Sequence, residues 1–254
     1  MIINILKLIR SLVFNAFAHY NFSNRIEYTK LILRWHKPPE VEYAVDGPIY
    51  IRQIFVLSLK VSLNRRSVVK KIFNDEKLEY FISDGIMSTD LYKYPNAIST
   101  RSAIFLSEGS IGCWLGHYSI WKKIIDQKIE YAIIFEDDIT VTKNFKSELK
   151  PALKVVPNSF DILFLNSGNN NPHNKRFIVN KQVFVPYQIR NGTYSYIVSN
   201  KGAAKLLDMI PSVQVTRGGV DSAIGSLIRD KRILAYHMNE PLCWVDFSFT
   251  SSIR

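Results

Sequence analysis

The spacing of apolar residues changes character near residue 50. Between residues 2 and 17 apolar residues recur at helical spacing, opposite a polar face. After residue 50, short apolar runs at 51–59, 131–135 and 160–167 alternate with longer amphipathic segments. Short buried strands that alternate with helices predict an α/β fold with a mostly parallel sheet flanked by helices on both faces.

The amino-terminal segment, residues 1–49, predicts an amphipathic helical extension and a proline-containing linker before a domain at 50–254. Lys7 and Arg10 interrupt its apolar run, so we expect no membrane span. Residues 1–39 carry six Lys/Arg and one acid, which favours peripheral contact with an anionic membrane. A helix that packs on the domain or on a second copy fits equally well, and a secretory signal is a weaker alternative.

Net charge and cysteine content limit the kinds of binding partner and the cellular compartment that we expect. The chain has 254 residues and a net charge of +11, which attracts anionic membranes, anionic substrates or nucleic acid. No basic and aromatic platform motif supports nucleic-acid binding. The two cysteines, Cys113 and Cys243, are too few for a disulfide framework and favour a reducing compartment.

Polar residues end several predicted strands: Ser58, Asp84, Glu136 and Asn166. In sheets of this class ligands bind at the carboxyl ends of the strands. The sequence therefore predicts a ligand site at this edge of the sheet.

Three adjacent acids, Glu136, Asp137 and Asp138, follow an apolar strand in "YAIIFEDDITV". Solvated loop acids are one interpretation, and a general acid and base pair is a second. The third is a hard divalent cation shared with a diphosphate, because Mg²⁺ and Mn²⁺ take carboxylate and phosphate oxygens. The apolar flanks make unpaired acids costly, which favours the cation.

An ordered set of segments resembles glycosyltransferase family 25, the lipooligosaccharide and collagen galactosyltransferase group. The segments are "IFVLSLKVSLNRR", "FISDG", "LSEGSIGCWLGHYSIWKKI", "YAIIFEDDI", "FDILFLNS", "GTYSYIVSNKGAAKLL" and "VDSAIG". The resemblance implies a GT-A-like fold, a nucleotide-sugar donor, a divalent metal and inversion at the anomeric carbon. The chain departs from the family pattern at Ser110, where the family has Glu, and at Gly116, where it has Ser.

The resemblance also implies roles for residues. Asp138 is the first choice as metal ligand, with Glu136 and Asp137, and His237 is a possible further ligand. Asp221 is the candidate general base, although a helix cap explains it equally well. Asp84 is the reserve candidate. The expected donor-binding residues are Ser58, Arg65, Arg66, Asp84, Gly85, His117, Asn166, Tyr194 and Ser195. His117 fits a satisfied core histidine at least as well, and one of the two arginines fits a solvated helix start.

The leading hypothesis is a metal-dependent inverting glycosyltransferase, a β-galactosyltransferase that uses Mn²⁺ or Mg²⁺. It would move galactose from UDP-galactose to a hydroxyl of a surface glycolipid such as lipopolysaccharide or lipooligosaccharide. We expect it in the cytoplasm, peripheral on the inner face of the bacterial inner membrane. A sugar nucleotidyltransferase is the alternative enzyme, but no Gly-rich phosphate loop follows the first strand. A basic nucleic-acid-binding protein without activity is the alternative non-enzyme.

Overall fold

The domain is an α/β structure, seen in a computed structural model that describes residues 49–94, 106–167, 175–187, 189, 192–213 and 219–249. The predicted extension lies outside the described residues apart from Ile49. Among the described residues, no helix combines the length and apolarity that crossing a membrane would require.

The described strands are β1 (Gln53–Ser58), β2 (Phe81–Asp84), β3 (Tyr131–Glu136), β4 (Ile139–Val141), β5 (Ile162–Phe164), β6 (Lys175–Ile178), β7 (Val183–Pro186), β8 (Ser195–Ser199), β9 (Ala235–Met238) and β10 (Cys243–Val245). The described α-helices are α1 (Leu63–Asp75), α2 (Glu108–Asp126), α3 (Phe145–Val155), α4 (Asn200–Val213) and α5 (Gly219–Arg229), and a 3-10 helix covers Ser88–Lys93.

Eight strands form the main sheet, in the order β2-β1-β3-β8-β5-β9-β7-β6. The pairs β1–β2, β1–β3 and β5–β9 are parallel, whereas β8 runs antiparallel between β3 and β5, and β7 is antiparallel to both of its neighbours. Six of the eight strands therefore share one direction, which confirms the mostly parallel α/β sheet.

Both faces of the sheet are covered, which explains the continuous apolar runs. In β1, Phe55 and Leu57 pack into one core with residues of α2, α4 and α5. Ile54 and Val56 face the other core, to which α1 and α3 contribute. The alternation along one strand therefore fills two cores.

Glycines let two helices approach backbone closely. A Cβ atom on Gly225 of α5 would lie 1.8 Å from the carbonyl oxygen of Ile189. A Cβ atom on Gly112 of α2 would lie 2.3 Å from the carbonyl oxygen of Ile86. Neither contact leaves room for a side chain. Glycine at these two positions therefore allows α5 and α2 to pack directly against the backbone of Ile189 and Ile86.

A second, two-stranded sheet holds the segment after the acidic run. In it β4 pairs antiparallel with β10, with Ile139 opposite Val245. The pairing extends one step further, because the Asp246 amide donates to the Asp138 carbonyl at 2.6 Å. The backbone of the acidic turn is thus held between β3 and a separate ribbon.

Candidate active site

The carboxyl ends of the first three strands of the sheet meet as expected. Ser58 at the end of β1 is in register with Asp84 of β2, and Leu57 is in register with Glu136 of β3. Asn166 follows β5 by two residues. The parallel register of β1, β2 and β3 therefore brings three of the predicted polar residues to one edge.

Asp137 is enclosed by compensating partners. Its two carboxylate oxygens accept hydrogen bonds from the Ser58 hydroxyl at 2.6 Å and from Arg65 Nη1 at 2.7 Å. Asp137 and Arg65 form a buried ion pair, with 8% and 11% of their side chains exposed. Both oxygens of Asp137 are engaged, so this carboxylate ties the acidic turn to β1 and α1.

Arg66 holds the ends of β1 and β2 together. It donates to the carbonyls of Ser58 and Leu59 at 2.8 and 3.0 Å, and to Asp84 Oδ1 at 2.8 Å. The hydrogen bond from Arg66 is the main cause that lowers the pKa of Asp84 below its ordinary value. The Gly85 amide also donates to the Ser58 carbonyl at 2.8 Å. These contacts give Arg66, Asp84 and Gly85 a bracing role beside the site.

Asp138 has the opposite environment. Burial raises the pKa of Asp138 to about 6, the neighbouring Glu136 carboxylate adds to this rise, and the Arg65 guanidinium opposes it. Arg65 Nη1 lies 3.3 Å from its carboxylate, farther than from Asp137. A fifth of the Asp138 side chain is exposed. Asp138 is thus a partly exposed carboxylate that Arg65 compensates less closely than it compensates Asp137.

Glu136 lies among polar partners that contact it only loosely. Its Oε1 atom is 3.4 Å from His117 Nε2 and 3.4 Å from the Thr193 hydroxyl. Its side chain is 23% exposed. Glu136 is therefore a partly exposed carboxylate that its neighbours contact only at long distance.

His117 is held by a buried donor chain. Trp121 Nε1, which is only a donor, donates to the Tyr196 hydroxyl at 2.9 Å. The Tyr196 hydroxyl lies 2.9 Å from His117 Nδ1, and it satisfies this nitrogen when it donates its own proton there. The arrangement assigns the imidazole proton to Nε2, which faces Glu136. Although fully buried, His117 therefore orients an acid of the site.

Asp221 lies in the first turn of α5 and contacts the segment before β8. Its carboxylate accepts from the Thr193 hydroxyl at 2.5 Å and from the Gly192 amide at 2.8 Å. Burial raises the pKa of Asp221, and the Glu136 carboxylate adds to this, while Thr193 and Gly192 oppose it. These bonds go to another segment, so Asp221 joins α5 to the residues before β8.

His237 lies in the core of the sheet on β9. Its ring is fully buried and stacks on Phe164 and Phe184, with ring centroids 6.2 and 4.9 Å apart. Nε2 contacts the Ser167 hydroxyl at 3.0 Å and Nδ1 contacts the Met238 carbonyl at 2.7 Å. A ligand role would require Ser167 to give up Nε2, because both ring nitrogens are engaged.

The remaining predicted donor residues join β5, β8 and β10. Asn166 Nδ2 donates to the Cys243 carbonyl at 2.6 Å, and the buried Ser195 hydroxyl contacts Cys243 Sγ at 2.6 Å. The Tyr194 carbonyl accepts from the Glu136 amide at 2.9 Å. Burial is the main cause that raises the pKa of the Tyr194 hydroxyl. These residues support the floor of the site through backbone and buried side-chain contacts.

The two departures from the family pattern also map near this edge. Ser110 accompanies the N-cap of α2, where its amide donates to Ser107 Oγ at 3.2 Å. Its Cβ atom lies 3.8 Å from where a Cβ on Gly219 would stand, at the start of the helix that carries Asp221. A Cβ on Gly116 would lie 2.7 Å from Leu57 Cδ1, so glycine there eases packing of α2 on β1.

The donor set fits a hard divalent cation. Glu136 and Asp138 supply partly exposed carboxylate oxygens, the ligand type that Mn²⁺ and Mg²⁺ prefer. The raised pKa of Asp138 indicates negative charge that its neighbours leave uncompensated. Asp137 fits poorly as a ligand, because Arg65 and Ser58 already engage both of its oxygens.

Sequence reasoning missed the residues that connect the site. Thr193 contacts both Glu136 and Asp221, and Tyr196 orients His117. Both lie in the segment "GTYSYIVS". Its strand pattern points to a buried element, but it does not reveal which hydroxyl faces which acid.

The profile of glycosyltransferase family 25 (LPS biosynthesis protein) matches residues 51–222. The chain belongs to this family, which confirms the resemblance.

Individual relatives are more distant. The chain is 30% identical over 109 residues to the probable inactive glycosyltransferase 25 family member 3 of Bos taurus, covering 42% of this chain and 18% of that protein. It is 24% identical over 176 residues to procollagen galactosyltransferase 2 of Homo sapiens, covering 63% of this chain and 28% of that protein. The chain thus spans less than a third of the length of either relative.

Among solved structures, a glycosyltransferase involved in the glycosylation of the major capsid of PBCV-1 is similar, with a TM-score of 0.44 and 9% identity. The match covers 78% of this chain and 94% of that structure.

Proposed function

We propose that this chain is an active, metal-dependent, inverting glycosyltransferase that moves galactose from UDP-galactose to a hydroxyl of a surface glycolipid such as lipooligosaccharide. One observation carries the proposal. The Thr193 hydroxyl lies 2.5 Å from Asp221 and 3.4 Å from Glu136, so a single side chain joins the candidate base to the acidic motif. Family membership and the galactosyltransferase name of a relative support the reaction class and the sugar.

In this proposal Glu136 and Asp138 hold the divalent cation. When bound, Mn²⁺ or Mg²⁺ neutralises the charge that develops on the leaving diphosphate. Arg65 fixes Asp137, and this keeps the turn in place so that the acids on either side of it remain available. His117 Nε2–H orients Glu136 from the core side.

Asp221 accepts the proton of the acceptor hydroxyl as that oxygen attacks the anomeric carbon. Its pKa is raised by burial, which makes it a stronger base than an exposed aspartate. Thr193 donates to one of its carboxylate oxygens and the Gly192 amide to the other, and both bonds stabilise its ionised form. Attack from the side opposite the leaving diphosphate inverts the sugar's configuration.

The donor is tested with a panel of UDP-sugars, scored for Mn²⁺-dependent hydrolysis and for protection against thermal unfolding. We expect UDP-galactose to give the fastest hydrolysis and the largest protection, and excess EDTA to abolish hydrolysis. Full activity in EDTA would contradict the metal assignment. Protection without hydrolysis or transfer would instead indicate a nucleotide-sugar-binding member without activity, as the name of the Bos taurus relative suggests for that protein.

We also propose that the chain works at the cytoplasmic face of the inner membrane, with residues 1–39 on the anionic lipid surface. The six Lys/Arg of this segment and the net charge of +11 support this. Flotation with phosphatidylglycerol vesicles should retain the full chain and release a chain that starts at residue 40. Equal binding of both chains would contradict the membrane role and favour a segment that packs on the domain or on a second copy.

A further inference from the structure

A second group of potential metal ligands lies beside the acidic motif. Cys113 and His117 are four residues apart on α2, so their side chains share one face. The Cys113 sulfur, a His117 ring nitrogen and a Glu136 carboxylate oxygen all lie within 4.8 Å of one another. Within the described ranges, no other group of three such side chains comes this close.

The three donors differ in kind from those of the hard-cation site. Thiolate, imidazole and carboxylate are the ligands of Zn²⁺, which binds three protein groups and keeps a fourth position open. Mn²⁺ and Mg²⁺ favour oxygen alone. Cys113 is partly exposed and the Glu136 side chain is 23% exposed, so an ion can reach the group.

The surroundings of His117 suit a metal ligand. Ligating histidines bond through their second ring nitrogen to an outer partner, and Tyr196 lies 2.9 Å from Nδ1. To bind an ion, His117 must carry its proton on Nδ1 and donate it to the Tyr196 oxygen, which also accepts from Trp121. Tyr196 then loses its own acceptor, so one buried hydrogen bond is exchanged for a metal–nitrogen bond.

We propose that Cys113, His117 and Glu136 form a binding site for a zinc-class divalent cation, distinct from the site at Glu136 and Asp138. The two positions share one carboxylate. A zinc ion in this site therefore withdraws Glu136 from the acidic motif, and zinc inhibits sugar transfer by competition.

The test uses the full, metal-free chain. Zn²⁺ binding is measured by competition with a chromophoric chelator, and Co²⁺ binding by absorption, where a thiolate ligand gives a charge-transfer band. We expect one ion per chain and the thiolate band. Cys113→Ser should lose the band and weaken zinc binding about a hundredfold. If the serine variant does not fold, Cys113→Ala replaces it in the same measurements, after circular dichroism has confirmed that this variant is folded.

Two control variants separate this site from its neighbours. Cys243→Ala removes the second of the two cysteines and should keep the band. Asp138→Asn removes the hard-cation ligand and should leave zinc binding within about twofold, because Asp138 is not among the three ligands.

The proposal is overturned if the wild-type chain binds no zinc, or if the thiolate band survives loss of Cys113. It is also overturned if Asp138→Asn weakens zinc binding as much as Cys113→Ser does. No sugar transfer is measured here, so the outcome is independent of the proposed reaction.

Discussion

Asp137 and Asp138 are adjacent in sequence, yet their environments are opposite. Asp137 is buried in an ion pair with Arg65 and a hydrogen bond from Ser58. Asp138 is partly exposed, and burial and the Glu136 carboxylate raise its pKa to about 6. Arg65 pairs closely with Asp137, at 2.7 Å, and more distantly with Asp138, at 3.3 Å.

The difference shows how one turn combines architecture with chemistry. A carboxylate that is already compensated fixes the position of the turn, since moving it would break its buried ion pair with Arg65. An uncompensated carboxylate raises the energy of the ion-free state, and a bound cation would relieve this. Asp221, whose pKa is also raised, belongs with Asp138 in this contrast.

The largest expected effect is at Asp221. Asp221→Asn keeps the shape of the side chain but removes the base, so we expect transfer to fall about a thousandfold, within the usual range for general-base catalysis. Initial rates with saturating donor measure this. Asp230→Asn, an exposed change just beyond the same helix, is the control and should retain its rate. A similar rate for both variants would remove Asp221 from the mechanism.

The next effect is at Asp138. Asp138→Ala should lower transfer by about two to three orders of magnitude while the melting temperature holds, because the residue serves the cation rather than the fold. Rates across a Mn²⁺ titration measure this, and the wild-type chain should lose activity in EDTA. Full transfer by the variant would show that Asp138 does not bind the cation. The proposed difference in role between Asp137 and Asp138 would then be wrong.

A third experiment measures stability instead of activity, and here we expect the larger effect at Asp137. Asp137→Ala removes the buried ion pair with Arg65 and the hydrogen bond from Ser58, so we expect the free energy of unfolding to fall by about 3–5 kcal/mol. Urea unfolding measures it. The matched variant Asp138→Ala should cost far less. If the two substitutions cost the same, the burial of the Arg65 pair does not separate the two acids.

The smallest effect concerns pH. The folded-state pKa of Asp138, about 6, lies above its ordinary value of 3.8, so the folded chain binds this proton more tightly than the unfolded chain. The resulting stability is fully present below about pH 4 and is lost as the pH rises through about 6. In EDTA, Asp138→Asn should therefore be more stable than wild type at pH 7.5, by about 1–3 kcal/mol.

That advantage should disappear near pH 4, and Asp137→Asn should show no comparable gain at any pH. Urea unfolding at several pH values provides the comparison. A pH-independent difference between Asp138→Asn and wild type would contradict the raised pKa.

Much of the architecture was predictable because its signals are local. The apolar run of β3 and the periodicity of α2 depend only on residues near in sequence. The antiparallel β8 inside an otherwise parallel region was not predictable, since a buried strand has the same apolar pattern in either direction.

The sequence predicted which residues belong to the site better than it predicted which of them contact each other. The sequence placed Ser58, Asp84 and Glu136 at strand ends, and the register of the parallel strands brings them to one edge. It did not reveal that Arg65 pairs with Asp137, because the two are 72 positions apart and meet only when α1 folds over the edge.

By itself, the sequence determined the α/β class, the family and the cluster of acids, since these reside in residue types and short-range order. Only the tertiary structure decided which acid is compensated, that Thr193 joins Glu136 to Asp221, and that His237 lies in the core. The reason is physical: a carboxylate's charge state and its partners depend on burial and on groups distant in the chain. These groups come together only when the chain folds.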